Sequence, residues 1–119
     1  MSDSILTTIK QMLGGLTAQN TMFDTEIITH INTALFRLHQ LGVGPEKRVL
    51  IEDTEDTWES IFGNMDDLQA VKDFIYFRVK LVFDPPTSSF VLESIKEQIK
   101  ELEWCLCNDE VNESQEVNK

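Results

Sequence analysis

The sequence predicts an all-α protein: a small helical bundle with a short extended arm at about residues 46–56 and a disordered acidic C-terminal tail. Three observations carry this prediction. Apolar residues recur at three- and four-residue steps through four segments, the period of an α-helix. Every glycine and proline falls between those segments, where helices stop. Only Val49-Leu50-Ile51 has the short, apolar, partly β-branched look of a strand, and a lone strand cannot build a sheet. A length of 119 residues fits one domain, read as a helical unit over 1–107 and a flexible acidic tail over 108–119.

The first helix, residues 4–13, places Ile5, Leu6, Ile9, Met12 and Leu13 on one face. Asp3 or Ser4 caps it, Gly14-Gly15 ends it, and a polar linker follows. The second, about 24–41, repeats Ile27, Ile31, Ala34, Leu35 and Leu38, with Gly42 as a left-handed stop and Gly44-Pro45 beyond. The arm, 46–56, either lies on the bundle or pairs with a neighbouring chain. Its lack of a pairing partner within the sequence predicts that it is ordered only by contact with another chain. Asp56 and Glu59 form a capping box for a short helix over 57–62, ended by Gly63.

The helix over 67–83 is apolar almost all round, broken only by Lys72, Asp73, Arg78 and Lys80. Such a helix belongs in the middle of something, and in so small a domain part of it should meet another subunit. Asp84-Pro85-Pro86 stops it sharply. Thr87, Ser88 and Ser89 offer caps for a last helix to about Leu106, whose seam is Leu92, Ile95, Ile99, Leu102 and Leu106. The seam predicts an antiparallel hairpin against the 67–83 helix. From residue 108 the chain is polar and acidic, able to order on a partner.

A net charge of −11 and a pI near 4.4 argue against gripping DNA or an anionic membrane, because either needs a surplus of lysine and arginine. No apolar run reaches the roughly 18–20 residues of a membrane span. The first sixteen residues lack the pattern of a signal peptide, so residence in a reducing cytoplasm is expected, with Cys105 and Cys107 as free thiols.

Nothing in the sequence assembles a catalytic, cofactor or metal site. His30 and His39 lie nine residues apart on one helix, about 13 Å along its axis, too far to share an ion. Gly42-Val43-Gly44 lacks the strand, helix and lysine of a phosphate loop. The acids from Glu52 to Asp56 lack the spacing and turn glycine of an EF-hand and read as solvated loop charge. The candidates for protein interfaces are Val49, Leu50 and Ile51 of the arm, Phe77 on the over-apolar helix, and the two tryptophans, Trp58 and Trp104.

Five stretches give the chain a family look. They are Asp24-Thr25-Glu26 leading into Ile31-Asn32-Thr33-Ala34-Leu35, LHQLGVGP at 38–45, Thr57-Trp58, YFRVKLVFDPPTSSFVL at 76–92, and EQIKELEW at 97–104. Together, and in this order, they resemble the small head–tail connector (adaptor) proteins of tailed bacteriophages and prophages, over roughly residues 5–106. DPPTSSFVL is the specific part. The resemblance implies a helical bundle that forms a ring, expected to be twelvefold, beneath the portal protein. Such a ring extends the DNA channel, lets DNA pass without sequence-specific binding, and offers a platform to head-closure (stopper) and tail-completion proteins. It implies no enzymatic activity and no cofactor, and a place at the head–tail interface of a virion made in the host bacterial cytoplasm. The 67–83 and 88–106 helices would then be body and portal-facing elements, and the arm an inter-subunit or partner contact. The alternative is a free-standing helical interaction module or small phage regulator.

Overall fold

The computed structural model describes residues 4–14, 19–45, 50–63 and 67–118, with side chains described as far as Leu106. Among the described residues there are five helices and no strand: α1 (Ile5–Leu13), α2 (Asp24–Gln40), α3 (Trp58–Phe62), α4 (Leu68–Phe83) and α5 (Ser89–Asn118).

The ends of these helices follow from local chemistry. Ser4 caps α1, its Oγ accepting the Thr7 amide at 3.2 Å, and Gly14 closes the other end by donating to the Lys10 carbonyl. α2 has no side-chain cap, but Asp24 and Glu26 set negative charge against the positive end of its dipole. It ends in a Schellman turn. Gly42, at φ 83°, donates to the His39 carbonyl, and Val43 donates to that of Leu38 at 2.9 Å. Both Leu38 and Val43 are buried, so the turn also folds the outgoing chain back onto the core.

The cap of α3 is displaced by one residue from the expected one. Thr57 and Ser60, and not Asp56 and Glu59, exchange the two hydrogen bonds of the capping box. The Asp56 carboxylate is already engaged, accepting the Glu52 amide at 2.8 Å and the Asp53 amide at 3.4 Å, which closes the acidic turn.

α4 is the hub of the fold. It packs against α1, α2 and α5, with Val71, Phe74, Ile75 and Val79 buried. This accounts for much of its near-continuous apolarity: three helices of its own chain pack against it, while Val82 stays exposed. The α4–α5 hairpin and its seam are as expected, with Ile95, Ile99 and Leu106 buried and Leu92 and Leu102 half-buried. The helical backbone of α5 runs on to Asn118, further than the seam and the predicted end near Leu106. No glycine or proline lies between 89 and 118 to stop it.

The arm corrects a sequence-based expectation. Ile51 is buried, and its backbone is held at both polar groups by one side chain. The Ile51 N–H donates to Asn32 Oδ1 at 2.7 Å, while Asn32 Nδ2 donates to the Ile51 carbonyl at 3.1 Å. Beyond the turn, the Ile5 amide donates to the Asp56 carbonyl at 3.0 Å, beside an isolated antiparallel bridge between Ser4 and Thr57. Residues 50–56 are thus ordered by their own chain, without the neighbour that the sequence suggested they needed. A side-chain amide carries both donor and acceptor groups, so it can stand in for a strand partner. Residues 46–49 lie outside the described residues.

Candidate interaction surfaces

The described polar chemistry is structural. Lys10, on the inner face of α1, is buried and reaches Asp24 Oδ1 at 2.7 Å, tying the end of α1 to the start of α2. Elsewhere in the bundle, Glu103 of α5 joins two arginines. Its carboxylate takes Arg37 of α2 in a two-pronged contact, Nε to Oε2 at 3.1 Å and Nη2 to Oε1 at 3.3 Å. Arg78 of α4 lies 3.7 Å from the same Oε2. One carboxylate thereby fixes three helices, in the forked geometry that suits arginine.

The six interface candidates divide. Ile51 and Trp58 belong to the core of their own chain. The Trp58 ring stacks on Phe62, lies under the Lys72 ammonium, and donates from Nε1 to Thr8 Oγ1 at 3.0 Å. Its polar tip is satisfied, as a buried tryptophan requires. Phe77 is half-buried against the core and tilted against Tyr76. Leu50 and Trp104 are exposed, Trp104 to 67%. Val49 is outside the described residues. The structure therefore does not gather the six into one patch: Leu50 leaves the bundle at the arm, and Trp104 on the outer face of α5.

Other apolar side chains are more exposed than most of these: Phe90 at 82%, Met22 at 76% and Val82 at 59%. Phe90 was legible in principle, because it lies off the step that links Leu92, Ile95 and Ile99. Beside Val82 runs an open groove of about 320 Å³ between α4 and α5, lined by Arg78, Leu81, Val82, Lys96, Ile99 and Lys100, with Glu103 at one end. A second hollow, lined by Lys100, Glu101, Trp104 and Cys105 of α5, shares Lys100 with it.

Among the described residues no group of histidine, cysteine and acidic side chains is placed to hold a metal, and no helix is long and apolar enough to cross a membrane. His30 stands 3.7 Å from Glu26 on its own helix. In the acidic turn, Asp53 and Asp56 are spent as acceptors for backbone amides.

These features define an all-helical protein that presents grooves and exposed apolar side chains on a bundle braced by ion pairs. A model of the phage connector protein family matches residues 5–113. No curated protein and no solved structure matched the chain. The match covers nearly the whole sequence, and the chain belongs to the phage connector protein family, as a connector-type structural protein of a bacteriophage.

Proposed function

We propose that copies of this chain assemble as a ring beneath the portal protein, extend the DNA channel and link the capsid to head-closure (stopper) and tail-completion proteins. The observation that carries this reading is the family match over residues 5–113. On the portal the ring is twelvefold, and the chain performs no catalysis and uses no cofactor. Its place is the head–tail interface of the virion, reached after synthesis in the host cytoplasm. DNA passes through without sequence-specific contact. A charge of −11 per chain supports sliding over gripping, since unneutralised phosphates are repelled at short range. The connector unit is 1–107, with 108–119 as its acidic extension. Exposed Leu50 and Trp104, half-buried Phe77 and neighbouring Val49 contribute to contacts with other chains, because large apolar side chains at the surface are what an interface buries.

The test is to mix the purified chain with portal rings of the same phage and examine the pellet and the particles by electron microscopy. A ring of added density on one end of the portal, with matching symmetry, is the expected result. No co-sedimentation, together with absence of the chain from purified virions, would overturn the reading.

A further inference from the structure

The strong negative charge raises a problem for any contact between two copies: like charges are brought together, and a locally positive patch relieves the repulsion. The cations among the described residues narrow the choice. Lys10, Arg37, Arg78 and Lys80 reach carboxylates in their own chain, and Lys72 lies over the Trp58 ring. Lys96 and Lys100 are different. Each faces only a glutamate three residues earlier on the same helix, at 3.7 and 3.8 Å, and both pairs stand well out in solvent. Such pairs contribute little and exchange partners readily. One helical turn apart, the two lysines line the α4–α5 groove together with the apolar Leu81, Val82 and Ile99. The lining holds three cations and one acid, against 21 acids and 10 cations in the whole chain.

A matching segment exists in the same sequence. Residues 108–119 contain Asp109, Glu110, Glu113 and Glu116 against a single lysine, with Val111 among them. Asp109, Glu113 and Glu116 recur at steps of four and three, the period at which Lys96 and Lys100 are set. The helical backbone of α5 continues from the groove to Asn118, about 27 Å past Lys100 at ~1.5 Å per residue. The helical backbone leads this segment away from its own groove.

We infer that the lysine-lined groove between α4 and α5 receives the acidic segment 108–119 of a second copy of this chain. The contact is head-to-tail, acid of one copy to lysines of the next, so repeated use closes a ring where the rotation per subunit allows. It rests on the ring reading given above and supplies the charge complementarity which that reading otherwise lacks.

The test uses the full-length chain, isotopically labelled, titrated with a synthetic peptide of residues 108–119. Saturable shifts should appear at Val82, Lys96, Ile99 and Lys100, weakening as salt is raised from about 50 to 300 mM, as screening requires. Both lysines are exposed, so the double variant K96E/K100E keeps its circular dichroism and should bind the peptide at least tenfold more weakly. A peptide carrying D109K, E113K and E116K should prefer that variant to the original chain. Absence of saturable shifts up to millimolar peptide, shifts outside the groove, or equal affinity for the K96E/K100E chain would overturn the inference. Capture of the peptide by portal rings but not by the labelled chain would overturn it too, while leaving the ring beneath the portal standing. Failure of the full-length chain to bind portal is a separate result, and it counts against the ring reading whatever the peptide does.

Discussion

Replacing Asn32 with alanine probes the docking of the arm, because one side chain satisfies both backbone groups of Ile51. Each lost bond is worth about 0.5–1.5 kcal/mol, so an arm that stays in place loses about 2 kcal/mol from the pair. The arm can instead let go, and the limit is then the burial of the Ile51 side chain, about 1.5–3 kcal/mol. Both routes give nearly the same figure, so Asn32→Ala should destabilise the fold by about 2 kcal/mol. For a domain of this size that lowers the melting temperature by about 8 °C. Amide exchange separates the routes. Release of the arm leaves the Ile51 amide exchanging far faster than the α4 amides; in a strained but docked arm both speed up together through lower global stability. Asn32→Asp keeps the acceptor for the Ile51 N–H and loses the donor to its carbonyl, so it should fall between. A loss below about 0.5 kcal/mol with Ile51 exchange unchanged would refute the claim that this amide holds the arm.

Other perturbations test other joints. Ile99→Asp places a charge among the buried seam residues and should cost at least about 3 kcal/mol in chemical denaturation; an unchanged midpoint would misplace the seam. Glu103→Gln removes the charge shared by Arg37 and Arg78, a partly exposed site, so a loss of about 1 kcal/mol is expected, shrinking in high salt. Gly44→Ala should cost about 2 kcal/mol in thermal melts, because φ is 93° and an added Cβ would stand 2.9 Å from the Phe62 ring.

What the sequence disclosed and what it concealed divide along physical lines. Helices with a strict apolar step, such as Leu92, Ile95, Ile99 and Leu106, were legible because burial leaves a periodic trace along the chain itself. So were the stops at Gly42, Gly63 and Asp84-Pro85-Pro86, where one residue's backbone preference decides. Contacts between residues far apart in sequence leave no such trace. Asn32 with Ile51, and Glu103 with two arginines, use side chains that look like ordinary helix-surface polarity until the helices are assembled. Trp58 was ambiguous for a related reason: a tryptophan suits core and interface alike, and its partner Thr8 lies 50 residues away. The near-uniform apolarity of α4 had two readings, a subunit contact or a central helix. Much of that surface is covered within the chain, by α1, α2 and α5, while Val82 remains outside.

The α4–α5 hairpin has a mechanical consequence. The two helices run antiparallel and meet along the seam from Leu92 to Leu106, so tension applied to the far end of α5 loads the seam in shear. Ile95, Ile99 and Leu106 must yield together, with the Glu103 fork resisting beside them, where a peeling load would break them one at a time. α4 passes the load on to α1 and α2, which share its core. A bundle organised in this way is stiffest along α5 and softest against a pull that lifts α5 sideways from the Pro85-Pro86 corner.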